Sequence, residues 1–204
     1  FQGALYEEMV GRIPKTDESV PYFLNGYWYY TRFIETGEYP IYCRKEGSLD
    51  AEEEIMLNVN EMAEGYDYYQ VTGLSMSPDN RILSYGVDTV SRRIYTVYFK
   101  NLETGDLYEH SIPNTTGRAT WAADNEHTFY AIKDESLRSY KIFRHQLGSP
   151  ASDDVEVFHE EDATFYTYVY TTKSKEYIVI GSGSTVSDEY RVLKADDPTG
   201  EFRV

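Results

Sequence analysis

An α/β-hydrolase nucleophile needs Gly-x-Ser-x-Gly, because the serine must sit on a strained turn between a strand and a helix. The nearest string is Gly73-Leu74-Ser75-Met76-Ser77, which lacks the last glycine and runs into the turn Pro78-Asp79 instead of a helix. His159-Glu160-Glu161-Asp162-Ala163 opens like a zincin helix, but Ala163 stands where the second imidazole is required. His110, His127 and His145 are scattered singly, which suits structural or exposed roles. Gly181-Ser182-Gly183-Ser184 has the glycines of a phosphate cradle, with no Lys-Ser or Lys-Thr and no helical pattern after it, so it reads as a flexible hairpin. Asn114-Thr115-Thr116 is a formal glycosylation sequon, relevant only in a secreted protein. No catalytic, cofactor-binding or metal-ligating residue is therefore assigned in this chain, and no cofactor is expected.

Charge narrows the partners. Lys plus Arg number 19 against 35 Asp plus Glu, a formal charge of −16, which argues against a nucleic-acid binder because phosphate recognition needs a basic footprint. No apolar run approaches the ~18 residues of a membrane span, and no signal-peptide core opens the chain. Cys43 is the single cysteine, so no internal disulfide forms. A lone thiol without a leader suits the cytoplasm, with the periplasm as the alternative if a leader has been removed. The acidic clusters Asp50 to Glu54, Asp153-Asp154 and Glu160 to Asp162 read first as solvated surface.

The elements are mostly strands. Tyr outnumbers Phe 21 to 9, which suits strands that bury a face and hydrogen-bond at a rim. Short aromatic or β-branched runs at Tyr27–Phe33, Arg81–Val87, Ile94–Lys100, Thr128–Lys133, Tyr140–His145, Phe165–Thr172 and Tyr177–Gly181 are separated by turn residues such as Asn25-Gly26, Pro78-Asp79-Asn80 and Asp124-Asn125. These predict antiparallel hairpins. Helix is expected only at Leu5–Ile13 and briefly near Asn58–Ala63.

A repeat orders these strands. Tyr-x-(Ile/Val)-(Tyr/Phe/Leu) occurs at Tyr39, Tyr95, Tyr140 and Tyr190. Each copy follows a polar turn and a strand, and each precedes a fourth strand: Glu54–Val59, Leu107–Ile112, Val155–Glu160 and Glu201–Val204. Four strands every ~40–50 residues is the period of a β-propeller blade. A sandwich would also contain many short strands, without the same phrase four times. The expected fold is all-β: a β-propeller fragment of about four four-stranded antiparallel blades behind a short helical lead-in. The lead-in is residues 1–20, with Phe1-Gln2-Gly3 a candidate tag remnant, and the partial propeller is 21–204. The blades fall near 21–62, 68–113, 117–161 and 164–204. The leading strands Tyr69–Leu74, Arg118–Trp121 and Phe165–Tyr168 should line a central channel. Terminal blades without neighbours would expose aromatic surface and favour self-association.

An ordered series of segments then becomes specific. Leu5-Tyr6-Glu7-Glu8-Met9, Gly11-Arg12-Ile13 and Asp17-Glu18-Ser19-Val20-Pro21-Tyr22 open it. Gly26-Tyr27-Trp28-Tyr29-Tyr30-Thr31-Arg32, Glu38 to Arg44, Ser77-Pro78-Asp79, Asp88 to Tyr95, Ile112-Pro113-Asn114-Thr115 and Ala195-Asp196-Asp197-Pro198 continue it. Together they resemble the propeller region of the prolyl oligopeptidase family of serine peptidases, in the branch that cleaves short peptides after Lys or Arg. The resemblance implies a seven-bladed propeller joined to an α/β-hydrolase domain. The propeller would act as lid and size filter, and the Ser-Asp-His triad would lie in the hydrolase domain, beyond these residues. Its partners would be short basic peptides, the hydrolase domain and the remaining blades. Under this resemblance the acidic clusters gain a second reading, as a field that speeds the arrival of basic peptides. A stand-alone propeller binding a protein or peptide is the alternative. A small propeller glycosidase is weaker still, because the leading strands carry no paired carboxylates.

Overall fold

The computed structural model describes all 204 residues. They form two compact units, residues 1–66 and 67–204.

The first unit opens with α1 (Gln2–Gly11), which buries none of its residues and starts three residues before the expected Leu5. A four-stranded antiparallel meander follows: β1 (Tyr22–Leu24), β2 (Tyr27–Arg32), β3 (Ile41–Glu46) and β4 (Glu54–Asn58), then the short helix α2 (Val59–Met62). Asn25 (φ 48°) and Gly26 (φ 87°) join β1 to β2. Both are left-handed, as a two-residue hairpin matching the strand twist requires. Tyr30, Ile41 and Cys43 form its core, with Ile34 against them.

An ionic knot closes this core. Glu53 accepts the Tyr30 hydroxyl at 2.6 Å and three guanidinium bonds from Arg32, the closest at 2.8 Å. The Arg32 hydrogen bonds hold the Glu53 carboxyl down at about 2 against the opposing pull of burial, and Tyr30 adds to the lowering. Burial pushes the Cys43 thiol up to about 11, and the Glu53 charge adds to this. Cys43 therefore stays a protonated, inert core residue. Beside it Arg44, on β3, pairs with Glu54 on β4 at 2.7 Å.

The second unit contains two sheets. One has seven strands in antiparallel succession: β5 (Gln70–Met76), β6 (Ile82–Asp88), β7 (Tyr95–Asn101), β8 (Ile112–Trp121), β9 (His127–Lys133), β10 (Ser139–Gln146) and β11 (Val155–His159). The other has three: β12 (Tyr166–Thr171), β13 (Tyr177–Gly183) and β14 (Asp188–Lys194). Asn80 (φ 63°), Asn125 (φ 62°) and Lys175 (φ 66°) hold the same left-handed place in the three hairpins that follow β5, β8 and β12.

Two of the expected fourth strands are reduced. Around Leu107 the chain makes one bridge to Lys100, and the regular strand starts only at Ile112. From there β8 runs without a break between two partners. Its first part pairs with β7 (Ile112 with Val97, Thr115 with Tyr95) and its last part with β9 (Ala119 with Tyr130, Trp121 with Thr128). Left-handed Asn114 and Gly117 bend it between them. Thr115 satisfies the groups this bend frees, donating to the Tyr95 carbonyl at 3.0 Å and accepting the Gly117 N–H at 2.9 Å. The segment Glu201–Val204 contributes one bridge, Arg203 to Val192.

In the second unit the tyrosine pattern marks a packing face. Val97 packs with Trp121 and Tyr130 of the following strands. Ile142 packs with Ile178, Ile180 and Leu193 of the three-stranded sheet. Val97 and Ile142 are fully buried, whereas the corresponding Val192 is 41% exposed, beside exposed Tyr168, Tyr170 and Tyr190. Gly181 is part of that face. A Cβ there would lie 2.4 Å from the Tyr168 ring, so the glycine makes room for a tyrosine. Gly181 to Gly183 lie within β13, and the expected flexible hairpin is confined to the turn after them.

Three glycines let backbones meet where β5, β6 and β8 converge. A Cβ on Gly73 or Gly86 would sit 2.1 or 2.4 Å from the Gly117 carbonyl oxygen. Gly86 has an ordinary backbone conformation, so Gly86→Ala tests the contact without dihedral strain. It should destabilise the second unit by about 1–3 kcal/mol, read by urea denaturation. The ionic knot gives a pH prediction. Because the folded Glu53 carboxyl titrates at about 2 instead of near 4.5, its stabilisation is complete above the unfolded value and is lost as pH falls towards 2. Glu53→Gln should lower the melting temperature at pH 6 and flatten its decline between pH 5 and pH 2.5, relative to the parent chain.

Candidate functional site

The leading strands expected to line a channel are laced to one another by side chains. β5, β8 and β12 do not share a ladder. Instead the Trp121 indole N–H donates to the Ser75 carbonyl at 3.1 Å, and Thr120 donates to the Val169 carbonyl at 3.0 Å. Thr171 donates back to the Trp121 carbonyl at 3.2 Å. Each of these bonds uses a buried or half-buried donor on one strand to satisfy a carbonyl of another, so each fixes the spacing of two strands. Ser75, the middle of the nucleophile-like string, belongs to this lacing. Its carbonyl also accepts the Ser84 hydroxyl, and no imidazole is bonded to it. Ser77 is buried and caps the following turn, donating to Asp79 at 2.6 Å and accepting the Ile82 N–H at 2.9 Å.

The histidines hold structure together. His127 lies 2.6 Å from Asp124 across a hairpin turn, and Asp124 also accepts two backbone N–H groups. His159 closes β11 with its ring edge-on to Tyr140. His145 is the informative one. Its Nδ1 lies 2.7 Å from Asp154, both side chains are 1% exposed, and the Tyr130 hydroxyl donates to the other Asp154 oxygen at 2.8 Å. Phe99 stacks flat on the His145 ring and meets Trp121 edge-on. Burial first, and then the hydrogen bond to Asp154 and its charge, raise the Tyr130 hydroxyl well above its ordinary range. A continuous series of contacts therefore runs from the laced strands at Trp121 outward to Asp154. No spacing rule in the sequence joins Tyr130, His145 and Asp154, because three separate segments supply them. No group of three or more metal-ligating side chains is assembled.

The acidic clusters divide into two populations. Glu53, Glu54, Asp154 and Glu160 are engaged internally, the last by the Ser182 hydroxyl at 2.5 Å. Asp50, Asp153 and Glu161 face solvent. In the first unit Tyr27, Glu46, Ala51, Glu52, Glu53 and Glu54 line an open recess of about 600 Å³. In the second, a recess of about 400 Å³ is lined by Ala123, Lys175, Glu176, Tyr177, Lys194 and Asp196, with mixed charge. Neither recess holds a nucleophile beside a base.

Removing the Asp154 carboxylate should leave His145 and Tyr130 buried without their acceptor. Asp154→Ala is expected to cost about 3–5 kcal/mol in unfolding free energy, and Asp154→Asn less, by chemical denaturation of the second unit's signal.

Known proteins fit this picture over the whole chain. The family description "Prolyl oligopeptidase, N-terminal beta-propeller domain" matches residues 1–204. Dipeptidyl aminopeptidase BI of Pseudoxanthomonas mexicana is 41% identical over 220 residues, covering 100% of this chain and 30% of the relative. Protease 2 of Moraxella lacunata is 34% identical over 207 residues, covering 98% of this chain and 30% of the relative. The structure of oligopeptidase B from Leishmania major superposes with a TM-score of 0.91 at 30% identity, covering 98% of this chain and 29% of that one. Oligopeptidase B from Trypanosoma brucei, in a closed form with covalently bound antipain, follows at 0.87 and 28%, covering 98% and 29%. The chain thus spans about 30% of the length of these relatives. With its antiparallel sheets, its recurring tyrosine phrase and its short helix at the start, the chain belongs to the prolyl oligopeptidase family and corresponds to its N-terminal β-propeller domain.

Proposed function

We propose that this chain is the non-catalytic propeller portion of a serine oligopeptidase that cleaves short peptides after Lys or Arg. In this reading the propeller acts as lid and size filter for an active site on an α/β-hydrolase domain outside these residues, and the parent enzyme is cytoplasmic. The observation that carries it is the agreement along 98% of the chain with oligopeptidase B of Leishmania major, at 30% identity. The lacing of β5, β8 and β12 supports it physically. A filter must keep its aperture constant, and side-chain bonds between leading strands do that without adding bulk to the channel. The 41% identity to a dipeptidyl aminopeptidase favours a second specificity, release of dipeptides from a free N-terminus.

Three measurements test the proposal. The full-length enzyme should hydrolyse N-blocked peptides after internal Arg or Lys, and the 204-residue chain alone should hydrolyse none. Cleavage only of substrates with a free N-terminus would support the dipeptidyl reading, and cleavage of neither would end both. The exposed tyrosine face of β12, β13 and β14 is assigned to a further blade. The isolated chain should therefore self-associate or bind an apolar dye, and a compact monomer that binds none would contradict this. The solvent-facing acids Asp50, Asp153 and Glu161 should speed capture of basic peptides. Neutralising them in the full-length enzyme should lower the on-rate for a dibasic peptide at low salt and leave it unchanged at high salt.

A further inference from the structure

One end of the second unit gathers cations that take part in no ion pair. Asp88 ends β6, and the chain turns back to β7 through residues 89–94. Asp88 is buried, and its two oxygens accept the backbone N–H groups of Val90 at 2.8 Å and Arg93 at 2.7 Å. Arg92 and Arg93 are exposed on this loop. The Lys133 ammonium, at the end of β9, donates to the Arg93 carbonyl and lies 5.8 Å from the centroid of the Tyr95 ring. The Tyr95 hydroxyl donates to Gln70 Oε1 at 3.0 Å, and the Tyr68 hydroxyl donates to the same oxygen at 2.8 Å. Gln70, at the start of β5, is exposed.

Each carbonyl and carboxylate oxygen named in this cluster already holds a donor. Gln70 Oε1 holds two hydroxyls, the Arg93 carbonyl holds an ammonium, and Asp88 holds two amides. The groups with unused hydrogens are the Gln70 amide NH2, the Lys133 ammonium and the Arg93 guanidinium. The ion pairs of the chain use other cations. Exposed Arg118 stands on β8 at the same end, directly after Gly117, where a Cβ would meet the side chains of Thr72 and Tyr95. Burial, and then the neighbouring Arg93, lower the proton affinity of Lys133 against a smaller opposing pull from Asp88, so an anion set against both cations would relieve the repulsion that remains. In a chain of formal charge −16 this is a local reversal of sign.

We propose that Gln70, Arg93 and Lys133 form a carboxylate-binding site, and that its ligand is the C-terminal carboxylate of a short peptide. The choice of ligand rests on the peptidase reading above. Two cations beside an amide NH2 match an anion with two acceptor oxygens, through charge-assisted hydrogen bonds. Every short peptide brings such a group within reach of the lid, whereas the end of a long chain lies far from the bond being cut. The site would therefore add a chemical preference for short substrates to a steric one.

The test uses the full-length enzyme and two peptides identical except that one ends in a free carboxylate and the other in an amide. The free acid should have kcat/KM about tenfold higher, a ratio that added salt reduces. In the double variant Arg93→Gln, Lys133→Gln the ratio should fall to about one, and in Arg93→Lys, Lys133→Arg it should be largely retained. Equal kcat/KM for acid and amide in the parent enzyme would overturn the proposal. So would a ratio unchanged by the Gln variant. An equal loss on both peptides would likewise overturn it, assigning the patch to contacts with the rest of the enzyme. Binding of the same peptides, labelled and read by fluorescence anisotropy, separates the two readings. If neither peptide is cut but the acid still binds more tightly and the Gln variant abolishes that difference, the site stands and the peptidase assignment falls.

Discussion

Leading strands that share no ladder must be held by something other than sheet hydrogen bonds, and in the second unit that role falls to Trp121 and its neighbours. The indole N–H reaches the Ser75 carbonyl on β5, while Thr120 and Thr171 exchange bonds between β8 and β12. These contacts set the separation of three strands at once. A buried donor left without its acceptor would carry the full cost of its desolvation, so the arrangement is restricted to one geometry. The hydrophobic effect supplies the attraction between the sheets but is non-directional. The lacing supplies the register.

From that centre the packing extends outward through specific chemistry. Trp121 meets Phe99, Phe99 stacks on His145, and His145 shares Asp154 with Tyr130. The outermost link is a buried carboxylate with both oxygens engaged, which fastens the start of β11 to the sheet. In the first unit Glu53 plays the comparable part between Arg32 and Tyr30. In both units acidic residues that look like surface in the sequence act as acceptors for core donors. This chain is thus built with polar keystones at Glu53 and Asp154, while acids such as Asp50, Asp153 and Glu161 face water.

The same geometry separates supporting surface from ligand-facing surface. At the end of the second unit where β6 turns back to β7, internal bonds consume the acceptors and leave donors outward, and the sign of the local charge departs from that of the whole chain. On the three-stranded sheet, Tyr168, Tyr170, Tyr190 and Val192 occupy the positions that match buried Ile142 and its neighbours in the seven-stranded sheet, and they are exposed. These two surfaces differ in kind. The first offers charge and hydrogen bonds to a small ligand, and the second offers area and ring edges to another sheet.

Local pattern alone determined most of the strands, the hairpin turns and the repeat, but not the fourth strands near Leu107 and Arg203, which form single bridges. Asn25-Gly26, Asp79-Asn80 and Asp124-Asn125 specify left-handed turn positions, because their short side chains tolerate φ > 0. The recurring tyrosine phrase identified the third strand of each group, because alternation along a strand is a nearest-neighbour property. Tertiary structure alone decided that β8 bridges two groups of strands, that Gly73 and Gly86 meet Gly117, that Asp154 and Glu53 are keystones, and that Arg93 and Lys133 stand together. Each of these joins residues from separate segments of the chain. Which donors and acceptors remain free after such meetings depends on distances between strands, and those arise only when the sheets pack.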